Sequence, residues 1–371
     1  MNISKKNSTE VQITMTNAKK RKIFSMAAIL FLAAGFICLI QQGDVTKWAG
    51  VAFFALTFIL LVINSIGTIY YTKGTKCLQG DNPDIKKAMP YFEKAVNRTL
   101  DPQAAIIAAT LLVQYGDMEK GKRILDEYTD NPDKKLSGTA KISLSMYWWI
   151  KRDLGKATEV AEDVYNNTTY RDRNLYINLL TFYLEDGKYK EFKKLLKDAK
   201  EKKVNVPATI DLEASYYMTQ SDWAKCGMYT RQLFADGKPR FMDPYLHEAM
   251  VQLHYGEWEN AVKALKELKE NVTFTNASVY TESQIDTFIA YTEDKDTRWG
   301  LLKAIDTDPC VLIRREMPEV ESGLPMPSFF PSMPDFTALP TKADIVEKDE
   351  GDIDTDLTDD DEEWLKKHES D

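Results

Sequence analysis

Histidine and cysteine are scarce in this chain: its 371 residues include three of the first and four of the second. Cys38, Cys77, Cys226 and Cys310 are scattered, with no C-x-x-C pair and no disulfide-like rhythm. That argues against a cysteine-stapled scaffold and leaves buried or idle thiols in a reducing compartment. The G-x-x-x-x-G-K-[ST] loop, the G-x-S-x-G elbow and the G-x-G-x-x-G fingerprint are all missing, so the sequence assigns no catalytic, cofactor-binding or metal-binding residue, and no cofactor. A basic face is missing too. The formal charge is −9, but residues 341–371 alone carry 14 acidic and 4 basic side chains, and the rest of the chain is nearly neutral. Nucleic acid is therefore not an expected partner. The triplets Asn97-Arg98-Thr99 and Asn276-Ala277-Ser278 would be glycosylation acceptors only in a secreted domain.

Charge is also absent from two long apolar runs. IFSMAAILFLAAGFICLI, Ile23 to Ile40, has 18 residues and rises about 27 Å as a helix, just enough for a bilayer core. WAGVAFFALTFILLVINSIGTIYY, Trp48 to Tyr71, carries Trp48 at one end and Tyr70 and Tyr71 at the other, as interfacial aromatic belts require. The seven residues QQGDVTK between the runs allow only a tight hairpin. Lysines and Arg21 in KKRK precede the first run, and Lys73, Lys76, Lys86 and Lys87 follow the second, against one lysine between them. This bias places both termini in the cytoplasm and the protein in the cell membrane, with the lipid bilayer as a partner. The alternative, a cleaved signal peptide, requires a shorter apolar core and a small-x-small site, which ICLIQQGD lacks. No ionisable residue is embedded in either run, and Asn64 and Ser65 read as helix-helix glue.

Beyond the runs a pattern recurs: GDNPDIKKAMPYFEKAV, YGDMEKGKRILDEY, KRDLGKATEVAEDV, EDGKYKEFKKLLKDA, TQSDWAKCGMYTRQL and HYGEWENAVKALKEL. Each is a turn followed by a helix. The residue opening each helix is Ala88, Gly121, Ala157, Phe192, Cys226 and Ala261, at steps of 33, 36, 35, 34 and 35. A period near 34 marks an array of helix pairs, each burying its apolar stripe on the next. Four residues after each opening stand Phe92, Leu125, Ala161, Leu196, Thr230 and Leu265; three further on stand Ala95, Tyr128, Val164, Ala199, Leu233 and Leu268. Ala109, Ser145, Ala214 and Ala249 are small residues seven before the turn, with Leu180 departing from that pattern and Thr230 also unusual. Pro102, Pro132, Pro207 and Pro244 fall near unit junctions, where proline stops one helix or fits the first turn of the next.

This pattern resembles the tetratricopeptide repeat family over about Lys73 to Leu268, and the resemblance implies that the opening and following positions pack the second helix of each pair. The expected fold is all-α: two N-terminal transmembrane helices, then an α-solenoid of about six tetratricopeptide-like helix pairs, then a disordered acidic tail. The expected divisions are a basic cytoplasmic N-terminus at 1–22, a hairpin at 23–71 with spans 23–40 and 48–71, the solenoid at 73–268, capping helices at 269–312, and a Pro-rich then acidic tail at 313–371. The leading helix of the first pair would be the cytoplasmic end of the second span.

A repeat array offers a groove lined by its leading helices. In this frame the candidate peptide-groove residues are Ile106, Thr110, Ile142, Met146, Asn174, Ile177, Thr181, Leu246 and Met250, with packing between repeats as the alternative for each. They are apolar or neutral-polar, which suits an extended or helical protein segment with apolar anchors better than an acidic peptide. His247 and His254 in HEAMVQLH invite a metalloprotease reading, but zinc on a helix needs histidines four apart; seven apart, the side chains stand about 10 Å from each other along the axis. MPEVESGLPMPSFFPSMPDFTALP, 317–340, reads as an extended linker exposing Phe329, Phe330 and Phe336. The acidic tail carries a dense acidic run and then Trp364 and Leu365, either solvated throughout or a motif that folds on a partner protein around those two anchors. Together these features imply a membrane-tethered protein-protein interaction scaffold without catalysis of its own, or an accessory or regulatory subunit of a membrane enzyme or transporter complex.

Overall fold

A computed structural model describes residues 17–336, except Gln42, residues 80–82, Asn205 and Asp236. Trp364, Leu365 and the rest of the acidic tail lie outside the described residues. All the regular structure described is helical. The chain divides into two compact units, one of residues 17–195 with Thr275–Ser278, the other of Leu196–Phe274 with residues 279–336.

The first unit opens with α1 (Asn17–Ile40) and α2 (Asp44–Cys77), packed antiparallel. α2 begins at Asp44, so the connection between them is shorter than the seven residues expected. Small side chains set their approach: Ala28 and Thr57 are buried between them, and the Thr57 hydroxyl donates to the Phe53 carbonyl at 2.9 Å. Phe36 and Phe54 meet edge to face at 5.3 Å. α2 is 34 residues long, about 51 Å, some 20 Å more than a bilayer core. Its last turns pack against α3 (Ile85–Val96), so the end of the second apolar helix is the leading helix of the first pair.

The following pairs are α4 (Pro102–Tyr115) with α5 (Met118–Asp126) and α6 (Lys134–Ile150) with α7 (Leu154–Asn167). Then α8 (Arg173–Glu185) leads by a tight turn into α9 (Tyr189–Glu201), within which the boundary of the unit falls. Residues 275–278 complete this unit: the Asn276 backbone N–H donates to the Gln114 carbonyl at 2.8 Å, and its side-chain amide to the Val113 and Gly116 carbonyls at 3.0 Å. They satisfy carbonyls at the end of α4 that the helix itself leaves unpaired.

The second unit pairs α10 (Val206–Thr219) with α11 (Trp223–Ala235) and α12 (Asp243–His254) with α13 (Trp258–Asn271). It continues through α14 (Glu282–Glu293), α15 (Arg298–Thr307) and the short α16 (Cys310–Ile313). Thr281 and Gln284 form a reciprocal capping box at the start of α14.

The turns inside the last four pairs, from α6–α7 to α12–α13, share one mechanism. Arg152, Gly187, Ser221 and Gly256 all have left-handed backbones, with φ of 64°, 71°, 57° and 81°. The next residue's N–H closes each helix by donating five residues back: Asp153 to Trp148, Lys188 to Tyr183, Asp222 to Tyr217 and Glu257 to Gln252, at 2.8–3.0 Å. Asp153 and Asp222 then cap the following helix, accepting from the N–H groups of Lys156 and Lys225 at 3.0 Å. One short turn therefore ends one helix and starts the next.

The repeat frame matches the packing. Ala88, Ala157, Phe192, Cys226 and Ala261 are at most 1% exposed, and Gly121 is also buried. The positions four and seven later are buried throughout. Thr230 fits because its hydroxyl donates to the Cys226 carbonyl at 2.8 Å, and Leu180 is taken wholly into the core. Pro102, Pro207 and Pro244 stand in the first turns of α4, α10 and α12.

The Pro-rich segment departs from expectation. Its described residues, 317–336, are extended, but of the three aromatic residues only Phe329 is exposed; Phe330 is half-buried and Phe336 buried in the core of the second unit. Phe336 rests on Gly227 of α11, with the Arg231 guanidinium 3.8 Å above its ring. A large ring meeting a bare helix backbone and a cation gains more than it would in solvent.

Candidate functional site

The candidate groove residues divide between the two units. In the first, the leading helices α4, α6 and α8 are joined side by side by neutral polar groups. Thr110 and Ser143 share a hydrogen bond of 2.7 Å, and the Asn178 side chain donates to the Ile142 carbonyl and the Ser145 hydroxyl at 3.1 Å. Gln114 donates to the Met146 sulfur at 3.3 Å. Ile106 and Ile142 are buried, so they pack between helices rather than face a groove. Thr110, Met146, Ile177 and Thr181 are half-buried, and Asn174 is exposed at the start of α8. Asn178 had no place among the candidates. Its sequence signal, an amide in an otherwise apolar helix, is also that of a surface residue.

In the second unit Leu246 and Met250 are buried within a core that also takes in Leu302, Ile305 and Leu312. The reason lies in the C-terminal helices: α15 packs on α12 and α16 on α10. Helices later in the chain thus cover the leading helices of this unit, where the repeat frame alone would leave a groove. His254 joins α12 to α15 through Asp306, Nδ1 to Oδ1 at 2.9 Å, and stacks on Trp223 at 5.1 Å.

His247 has different partners. Its Nε2 lies 3.1 Å from the Ser215 hydroxyl and its Nδ1 is 3.3 Å from Asp211, both on α10. The order of groups is that of a Ser-His-Asp relay. Chemistry of that kind needs a nucleophile open to substrate with oxyanion donors beside it, whereas Ser215 is 5% exposed and lies within a helix whose N–H groups serve the helix. The constellation is a buried polar tie between two leading helices. Burial favours neutral imidazole, but Asp211 and then Asp243 oppose it, and His247 is held above its ordinary value. Burial, with the Asp211 carboxylate adding to it, pushes the Asp243 carboxyl up to about 7. The Cys226 thiol is buried and pushed far up, leaving it unreactive. A cleft of about 370 Å³ opens among α11, α12 and α13. On its wall Glu248 accepts from Arg231 at 3.3 Å and from Gln252 at 2.6 Å.

No family model matches the chain, and no curated protein matches it. Among solved structures it is similar to a tetratricopeptide repeat protein from Parabacteroides merdae, with 15% identity and a TM-score of 0.46, over 72% of this chain and all of that one. The chain's own turns and packing define the class: an all-α protein of stacked antiparallel helix pairs, preceded by two helices long and apolar enough to cross a membrane.

Proposed function

We propose that this protein is a membrane-tethered scaffold that presents its helix pairs to the cytoplasm and binds other proteins, without catalysis of its own. The observation that carries the tether is the outward apolar surface of α1 and α2. Ile29 and Leu30 are 66% exposed and Phe58 68%, whereas the core helix of a soluble protein hides such side chains. Positive residues flank the outer ends of both helices, which supports cytoplasmic placement of the repeats. Tethering restricts the scaffold to a surface and raises its effective concentration toward membrane partners.

The partner surface we assign is the face of α4, α6 and α8 that carries Thr110, Met146, Asn174, Ile177 and Thr181, because the corresponding face of the second unit holds α15 and α16. A photo-crosslinker at Asn174 or Ile177, with Glu159 on α7 as control, tests this in native membranes. Discrete protein adducts from the first two positions alone support the scaffold. Equal adducts from all three would remove the assigned face. If instead only a further crosslinker at the exposed Phe58 of α2 gave an adduct, with one stoichiometric membrane protein, the accessory-subunit reading would be favoured.

A further inference from the structure

A cleft of about 410 Å³ in the first unit lies away from the repeat surfaces, between Arg21 of α1 and a face of α2 carrying Ser65, Thr68, Thr72, Lys73 and Lys76. Its depth in the hairpin follows from one contact. The Asn64 amide donates to the Ser25 hydroxyl at 3.3 Å, so Arg21, one turn before Ser25, comes level with Thr68, one turn after Asn64. The uncharged run of α1 ends at Ile23, and the cleft therefore opens where hydrocarbon would give way to headgroups. From Thr68 to Lys76 the helix rises about 12 Å, enough to cross a headgroup layer of about 5–8 Å.

The charges there are of one sign. Among the described residues no carboxylate lines the cleft, and Lys73 and Lys76 make no ion pair. Arg21 is pinned from outside it by Asp101, Nη1 to Oδ2 at 2.9 Å, which fixes the guanidinium while leaving other N–H groups to donate. Ser65 and Thr72 donate their hydroxyl protons to the Leu61 and Thr68 carbonyls at 2.8 and 2.9 Å. Any anion must therefore be held chiefly by the three cations. Between Thr68 and the two lysines Ile69 is 50% exposed, an apolar contact that a free anion would not use.

We propose that this cleft binds phosphate, supplied by the headgroup of an anionic phospholipid, with Lys73, Lys76 and Arg21 as its ligands. The inference rests on the transmembrane reading of α1 and α2. The test uses the full chain in phosphatidylcholine nanodiscs with a minor share of phosphatidylglycerol, and native mass spectrometry to count the lipids retained. The cleft variant is Lys73→Gln with Lys76→Gln; the control, Lys86→Gln with Lys87→Gln on α3, removes the same charge elsewhere.

Phosphatidylglycerol should be enriched on the wild type and on the control, and the enrichment should fall about fivefold for each cleft lysine removed. Equal losses in both variants would mean diffuse surface attraction and overturn the site, as would no enrichment on the wild type. In discs of phosphatidylcholine alone, millimolar inorganic phosphate should leave Lys73 and Lys76 open to acylation. Protection there equal to that given by phosphatidylglycerol would make free phosphate the ligand and defeat the lipid assignment. Alkaline carbonate extraction separates the two failures: release of the chain from membranes sinks the transmembrane reading, whereas a retained chain without enrichment sinks the cleft alone.

Discussion

Gly74 of α2 lies flush against the ring of Phe92 on α3: a Cβ built at Gly74 would stand 2.9 Å from Phe92 Cζ. Two turns earlier a Cβ at Gly67 would run into the Thr99 carbonyl oxygen, and the Thr99 hydroxyl donates to the Asn64 carbonyl at 3.2 Å. The long apolar helix and the first repeat are thus joined through bare backbone. Phe92 can tilt, but a carbonyl cannot yield without moving its chain. Gly67→Ala is expected to cost more than Gly74→Ala within the usual overpacking range of about 1–3 kcal/mol. Hydrogen exchange over residues 85–100 should rise most in Gly67→Ala, and the reverse order would refute this account of the junction.

The four left-handed turn residues give a matched pair of substitutions. Gly187 has φ of 71° and nothing within 4 Å of a Cβ, so Gly187→Ala tests backbone strain alone. Its counterpart Ser221 is exposed at φ of 57°. Gly187→Ala should destabilise and Ser221→Gly stabilise, each by about 0.5–1 kcal/mol, the left-handed penalty less the change in unfolded-chain entropy. Denaturant midpoints of the full chain in detergent report both, and shifts of the same sign would exclude the shared turn mechanism.

Asp243 and His247 both bind protons more tightly folded than unfolded. Folding therefore takes up protons, and their contribution to stability is lost as pH rises through the folded values, about 7 for Asp243. The melting midpoint should be higher at pH 6 than at pH 8, each kcal/mol being worth about 2–4 °C for a unit of this size. Asp243→Asn removes one of the two groups and should flatten the dependence. A midpoint that rises with pH would contradict the arrangement.

Phe336 anchors the last described residues of the second unit. Phe336→Ala removes a 9% exposed ring from the face of Gly227 and Arg231, at a cost approaching the roughly 3 kcal/mol at the low end for a core phenylalanine. Phe329→Ala, at a residue 77% exposed, should be nearly neutral. Limited proteolysis within 317–336 should accelerate in the first variant only.

Neutral polar ties are expected to hold the leading helices of the first unit in register. Asn178→Leu leaves the Ile142 carbonyl and Ser145 hydroxyl without this donor, a loss of about 1–3 kcal/mol for buried groups. Thr181→Val, whose hydroxyl serves only the Ile177 carbonyl of its own helix at 2.8 Å, should cost under about 1 kcal/mol. Thermal unfolding of the two variants decides between a specific tie and general packing.

The sequence by itself determined the helix pairs and their frame, because burial recurs with the repeat: Ala88, Cys226 and Ala261 mark positions where a helix pair cannot close without a small or apolar residue. The two apolar helices were equally legible, since a run of uncharged residues long enough to span is a local property. Tertiary structure decided what those elements face. Ile106, Ile142, Leu246 and Met250 lie on leading helices as the period requires, but whether such a residue meets solvent or a neighbour depends on a few tens of degrees of helix rotation. It also depends on chain distant in sequence. No local pattern in residues 298–313 says that α15 and α16 lie on α12 and α10, and none in the Pro-rich segment says that Phe336 finds Gly227. Periodicity records which side of a helix is apolar; only the folded chain determines what covers that side.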